Sequence, residues 1–298
     1  MVTVTASAPG KTILFGEHSV VHGRLAIATA LSDLRISTTV AIPSFSPSSS
    51  KNLVTIDLID LNINISLPTS AITSSSTLCH LQTAPNRAPR TPPDSAITSL
   101  TTLLTSHACP PSHPNHGPLL PLLYLLTSLL SPSSYPHGVT LTVNSRNLPT
   151  SAGLGSSAAA CVATAAALLT VADLLTHSLH GEGISTTPTR PTQESLSHIN
   201  AWAYAAESII HGTPSGIDNT VSTYGGCVTL CKERGQARVE MVGGLPVLNL
   251  LLTNTHVPKS TKKLVGMVGG ELRAVLCEAR VHSRASHKRH SARRRGSL

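Results

Sequence analysis

Residues 149–160, Pro-Thr-Ser-Ala-Gly-Leu-Gly-Ser-Ser-Ala-Ala-Ala, constrain this chain more than any other stretch. They follow Gly138–Asn144, where apolar and polar residues alternate as in a half-buried strand. They lead into a run of small and apolar residues from Ala158 to Leu175. The order is strand, glycine turn, helix. Gly153 and Gly155 leave backbone with no Cβ to screen it, and Ser156 or Ser157 can cap the helix. A helix start offers free N–H groups and a positive dipole end, which suit a phosphate group. A serine hydroxyl at that point can also reach a Mg²⁺ held on phosphate. A capped, buried helix after a tight turn fits the same letters, and the loop by itself does not separate the two readings. It is not a Walker A loop, because no Gly-Lys-Ser/Thr closes it.

Aromatic residues make up only 2% of the chain, so its core must be built from Leu, Ile, Val and Ala. A length of 298 residues is enough for that, in one large domain or two ordinary ones. The net charge of +8 is concentrated at one end. Residues 271–298 hold eight Lys/Arg and two Asp/Glu, while the remaining residues hold 14 and 12. The near-neutral body does not suggest nucleic acid as a partner. Six scattered cysteines match neither a redox nor a zinc spacing, so free thiols in a reducing compartment are expected. The N-terminus carries no apolar signal core. Leu119–Leu130 is apolar but shorter than the roughly 20 residues a membrane span requires. The expectation is a soluble, cytoplasmic protein with no membrane span. Its oligomeric state is open, a homodimer included.

In chain order, Met1–Ala8 alternates as a strand. Pro9-Gly10-Lys11 through Val21-His22-Gly23 reads as glycine turn, strand and second turn, carrying Lys11, Glu17 and His18. Charged groups packed into apolar chain tend to be paired or functional, although a lysine beside a turn is ordinarily just solvated. Leu34–Ile42 is expected to be a strand and Val54–Leu67 a strand pair. Residues 43–117 are otherwise Ser-, Thr- and Pro-rich and read as variable, mobile surface, with loops at Pro85–Pro93 and Cys109–Pro118. Pro118–Leu130 is a buried helix. Thr192–Gly212 is a helix capped by Thr192 and stopped by Gly212, with Leu196, Ile199, Ala203, Ala206 and Ile210 along one stripe. Glu207 sits beside that stripe, where a surface glutamate is the default. Asp218 lies in a Gly/Pro turn, where bonding to its own backbone is the default. Thr220–Leu230 continues as helix or strand with a Gly-Gly break. Pro246–Leu252 reads as a central apolar strand, Pro258–Val265 as a helix start, and Ser283–Leu298 as a disordered basic tail. Mixed elements without a regular βαβ rhythm predict an α+β protein.

Four segments together resemble the mevalonate kinases, within the GHMP kinase superfamily. They are Pro9-Gly10-Lys11 with Gly16-Glu17-His18 and Val20-Val21-His22-Gly23; Pro149–Ala159; Glu207 with His211–Asp218; and Leu252–Thr255 with Val257-Pro258. The resemblance spans roughly residues 1–265 and is carried by the order and spacing of all four. It implies a two-domain GHMP kinase-like fold, with residues 1–240 as an ATP-binding domain of the ribosomal protein S5 domain 2-like type. Residues 241–298 would be an incomplete second domain ending in the basic tail. It implies phosphorylation of mevalonate by ATP with Mg²⁺. Pro149, Gly153, Leu154, Gly155, Ser156, Ser157 and Ala158 would hold the nucleotide, and Ser157 and Glu207 the Mg²⁺. Asp218 would take the hydroxyl proton beside Lys11, and Glu17, His18, Thr253 and Thr255 would lie at the substrate. The chain departs from the family at His256, where lysine is usual, and in a further glycine-rich loop that is not found after Val268. Those departures motivate one alternative, a catalytically impaired homologue or non-catalytic binder. A phosphate loop like that of galactokinase-like and homoserine-kinase-like members leaves a second, another GHMP small-molecule kinase. A weaker third reading gives the basic tail a nucleic-acid or acidic-membrane contact.

Overall fold

In the computed structural model, residues 1–253 are described except 18–23, 45–51, 80, 82–90, 108–112, 114–115, 151, 180–190, 234–235 and 245. Strands β1 (Val2–Phe15) and β2 (Ala26–Ile42) open the chain, followed by β3 (Leu53–Leu58) and β4 (Ile63–Pro68). Helices α1 (Thr69–Thr73), α2 (Ser76–Cys79), α3 (Asp94–His107) and α4 (His116–Leu129) precede β5 (Val139–Ser145). Then come α5 (Ser156–Leu179), α6 (Gln193–His211), α7 (Ile217–Tyr224), β6 (Cys227–Glu233) and β7 (Gln236–Val242). The sheet has seven strands in the order β4-β3-β5-β2-β6-β7, with β1 also paired to β2. β2–β5 and β3–β4 run antiparallel and β3–β5 parallel, as a mixed α+β sheet requires.

Contacts divide the chain into two units. The first is Met1–Thr12, Ala28–Val228 and Met241–Leu245; the second is Ile13–Ile27, Thr229–Glu240 and the chain from Pro246 onward. The first unit holds the core. Every second residue of β3 and β5 is buried, Val54, Ile56 and Leu58 against Val139, Leu141 and Val143. Leucines cover α4 on all sides, and all but its second and third residues are buried. α5 has a mean hydropathy of 2.0 over Ser156–His177, apolar and long enough by composition to cross a membrane. Here its Ala159, Val162, Leu168 and Val171 are part of the same core. A buried Thr38–Thr164 hydroxyl pair at 3.0 Å ties β2 to α5.

Several expectations are met. α6 begins where Thr192 Oγ1 accepts from the Ser195 amide at 3.1 Å, and ends where the Gly212 amide reaches Ser208 O. β3, β4, α4 and β5 fall where alternation or apolar run length puts them.

Others are corrected. β1 passes straight through Pro9-Gly10 with no turn; Gly10 is small because a Cβ there would lie 2.5 Å from Leu148 Cδ1. β2 begins at Ala26, before the expected Leu34. Neither Ser156 nor Ser157 caps α5: the Gly155 carbonyl accepts the first helical bond, from the Ala159 amide at 3.0 Å. Residues 43–117 are not merely surface, since they supply β3, β4 and helices α1–α3. α3 buries Ala96, Leu100, Leu103 and Leu104, a helical stripe hidden by Ser and Thr.

Pro246–Leu252 forms no strand, and Val247 and Leu251 are each 94% exposed. An apolar run becomes a strand only where a neighbour accepts its hydrogen bonds, and no described strand pairs with it. Pro258–Val265, His256 and Ser283–Leu298 lie outside the described residues.

Candidate active site

β1, the start of α5, α6 and α7 bring four polar side chains into two pairs. All four belong to the first unit. Lys11 Nζ lies 3.3 Å from Asp218 Oδ1, and the lysine is nearly buried. Ser157 Oγ donates to Glu207 Oε1 at 2.5 Å.

Each position follows from local structure. The Lys11 amide donates to Leu154 O at 2.8 Å, which pins β1 to the glycine loop. Ser157 lies in the first turn of α5, and its hydroxyl faces α6 because no capping bond claims it. Asp218 is in the first turn of α7, which starts at Gly216 with φ +80°. There the free amides and the helix dipole favour a carboxylate. Asn219 Nδ2 donates to Asn200 Oδ1 at 2.7 Å and so fixes α7 on α6. Ala203, Ala205 and Ala206 line the buried side of α6 and leave room for the close approach of α5.

Glu207 is not the surface glutamate expected from sequence; it is 4% exposed. Burial pushes its carboxyl above the ordinary value. The Ser157 hydrogen bond and the neighbouring His211 oppose that rise, and the charge of Asp218 adds to it. That last influence places the two pairs in one electrostatic neighbourhood. His211 Nε2 stands 3.5 Å from Glu207 Oε2, one helical turn on. The buried Cys161 thiol approaches the other oxygen at 3.7 Å, and burial with Glu207 beside it raises the thiol's pKa. Neither His211 nor Cys161 was singled out as a site residue by sequence. The i, i+4 spacing of Glu207 and His211, and of Ser157 and Cys161, was the signal available.

A cavity of about 330 Å³ opens beside the start of α5. Asp60, Ser145, Thr150, Ser156, Ser157 and His211 contribute its polar groups, and Leu58, Pro121 and Leu122 its apolar ones. That volume and balance suit a bound small molecule. Asp60 Oδ2 already accepts from the Ser145 amide at 2.5 Å. Among the described residues no three His, Cys, Asp or Glu cluster as a metal site. The pair Ser157–Glu207 nonetheless supplies a hydroxyl and a carboxylate, the hard oxygen donors Mg²⁺ takes, which commonly completes its shell with phosphate and water. Among the described residues the buried carboxylate faces a hydroxyl, a thiol and a half-exposed histidine. An added cation would compensate its desolvation.

Of the remaining candidate residues, Gly153, Leu154, Gly155, Ser156 and Ala158 form the loop and first turn around Ser157, with Pro149 exposed just before them. Glu17 and Thr253 are exposed residues of the second unit. His18 and Thr255 lie outside the described residues.

Residues 122–226 match the family model described as GHMP kinases N terminal domain. The chain is 36% identical to the mevalonate kinase of Bos taurus over 269 residues, which is 89% of this chain and 62% of that protein. It is 36% identical to the mevalonate kinase of Arabidopsis thaliana over 271 residues, 89% of this chain and 66% of that one. A solved mevalonate kinase from Methanococcus jannaschii is 21% identical, at a TM-score of 0.49, covering 82% of this chain and 56% of that one. The chain thus spans a little under two thirds of the length of the relatives it matches.

Proposed function

The chain belongs to the mevalonate kinase family of GHMP kinases, and from that premise we propose that it transfers the γ-phosphoryl group of ATP to the primary hydroxyl of mevalonate. The observation that carries the proposal is the meeting of Lys11 with Asp218 beside the glycine loop, with Ser157 and Glu207 in the same neighbourhood. Phosphoryl transfer asks mainly for positioning and for charge neutralisation, and these groups divide that work.

The amides at the start of α5 would hold phosphate oxygens, aided by the helix dipole. The cavity beside them would take the rest of the nucleotide. Ser157 and Glu207 would hold Mg²⁺, which when bound neutralises charge on the β- and γ-phosphoryl oxygens. Asp218 Oδ would accept the proton of the mevalonate hydroxyl as that oxygen attacks phosphorus. The Lys11 ammonium, 3.3 Å from Asp218, would stabilise negative charge growing on the attacking oxygen. Glu17, His18, Thr253 and Thr255 would contact mevalonate. Residues 1–240 would form the ATP-binding domain and 241–298 part of a second.

All four positions are occupied by competent groups in two pairs, which supports catalysis over a non-catalytic binder. The test is transfer of label from γ-³²P-ATP to mevalonate, with galactose and homoserine as competing acceptors. Labelled phosphomevalonate in excess of the other products is the expected result. Preferential labelling of another acceptor would keep the kinase chemistry and overturn the substrate.

A further inference from the structure

Resting on the kinase reading, we propose that Gly155 is a positioning residue for Lys11: the glycine loop aims the lysine at Asp218 as well as cradling phosphate. Gly153 and Gly155 both adopt left-handed backbone, with φ of +77° and +70°. Only one of them faces anything. A Cβ on Gly153 would meet no heavy atom within 4 Å. A Cβ on Gly155 would lie 2.8 Å from Lys11 Cγ, 3.2 Å from Cε and 3.6 Å from Cδ. The three nearest atoms all belong to the lysine stem. The stem therefore runs across the bare face of Gly155 on its way to the carboxylate.

Two further contacts hold this crossing in register. The Lys11 amide donates to Leu154 O at 2.8 Å. Gly10, the preceding residue, is packed so closely that a Cβ would lie 2.9 Å from the same Leu154 oxygen. Lysine has four rotatable bonds and a high entropic cost of fixing. Here its first atoms are held by β1, its stem by the loop, and its ammonium by Asp218 3.3 Å away. The loop that would receive the phosphates is thus the wall that sets the direction of Lys11. Any residue larger than glycine at 155 must displace either the stem or the loop. The stem is the softer of the two, because Leu154 O is bonded to β1 and Gly155 O to α5.

The experiment pairs Gly155→Ala with Gly153→Ala in the full chain. Both pay the cost of a Cβ at positive φ, and only the first meets Lys11. The primary readout is acetylation of Lys11 by acetic anhydride, read by mass spectrometry against the N-terminal amine. Lys11 is only 7% exposed, so labelling in the unsubstituted chain is slow. Gly155→Ala should raise it several-fold, and Gly153→Ala should leave it unchanged. Equal labelling of Lys11 in Gly155→Ala and the unsubstituted chain would overturn the proposal, as would an equal rise in both variants.

If Gly155→Ala gives no cooperative melt, the double variant Lys11→Ala/Gly155→Ala decides. Without the stem it should fold with the melting midpoint of Lys11→Ala/Gly153→Ala, and failure to fold would overturn the proposal. In turnover, Gly155→Ala should lower kcat by about 100-fold, as expected for a catalytic group moved by about 1 Å, with little change in KM for ATP. Gly153→Ala should act chiefly on KM for ATP. The labelling result does not depend on catalysis, so a chain that shows it yet phosphorylates nothing would keep this inference and sink the kinase reading.

Discussion

Glu207 and Asp218 are carboxylates in one electrostatic neighbourhood, and they are held in opposite ways. Asp218 is 37% exposed, sits at a helix start and faces an ammonium 3.3 Å away. Glu207 has a side chain only 5% exposed and faces a serine hydroxyl, a thiol and a histidine. The first already has a cation beside it in the free protein. The second is strained as an anion, and burial is the largest cause. Under the proposed function, the exposed acid would take a proton from substrate and the buried one would receive a cation. A group that already has its counter-charge gains little from another. A group that lacks it gains most when a metal arrives.

The largest expected effect that could break this comparison is on turnover. Asp218→Asn should lower kcat by about 10²–10⁴-fold, the range for losing a general base. KM for ATP should change little, since the phosphate loop is untouched. Comparable losses in kcat and in ATP affinity would show that Asp218 serves the nucleotide instead. Lys11→Met comes next, with a fall in kcat of about 10²–10³-fold, the range for one electrostatic contact to a transition state. Steady-state kinetics with saturating Mg-ATP measures both.

A smaller effect runs in the opposite direction. Glu207→Gln removes a buried charge while keeping an oxygen for Ser157. Its melting midpoint in the absence of ligand should rise by about 2–4 °C, what roughly 1 kcal/mol of relief gives in a chain of this size. The same substitution should abolish stabilisation by Mg-ATP. Differential scanning calorimetry with and without ligand reads both, and a lower ligand-free midpoint would mean that Glu207 supports the fold.

The smallest effect is in pH dependence. The folded Glu207 carboxyl titrates above its ordinary value of 4.5, so just above that pH the folded chain keeps a proton the unfolded chain has released. Ligand-free stability should therefore fall as pH rises from 4.5 through the folded value, and this component should level off beyond it. Urea midpoints across that interval should show a shallower decline in Glu207→Gln.

Much of the frame was legible from the letters alone. The alternation of Val139, Leu141 and Val143, the leucine run of α4, and the Thr192 and Gly212 boundaries of α6 each reflect a local rule. α3 was missed because Thr98, Thr101, Thr102 and Thr105 make its text look like loop. Three of those hydroxyls are in fact spent on carbonyls of the same helix or its first turn, two as donors from Thr102 and Thr105 and one from Thr98. Pro9-Gly10 was misread as a turn because a glycine chosen for close approach looks the same as one chosen for φ.

Pro246–Leu252 and β5 make the same point for strands. Both runs are apolar enough, but β5 has β2 and β3 on its two sides, and the other run has no described partner. In the site, the four residues that the structure brings together in two pairs are ones the resemblance names. The burial of Glu207 was not, because it depends on how α5 and α6 pack, with 207 and 157 fifty residues apart in sequence.

The most direct measurement of the division between the two acids is isothermal titration of ATP, with and without Mg²⁺, into the unsubstituted chain, Glu207→Gln and Asp218→Asn. Mg²⁺ should tighten ATP binding in the unsubstituted chain and in Asp218→Asn, and should do so far less in Glu207→Gln. Loss of the Mg²⁺ effect in Asp218→Asn with its retention in Glu207→Gln would contradict the account.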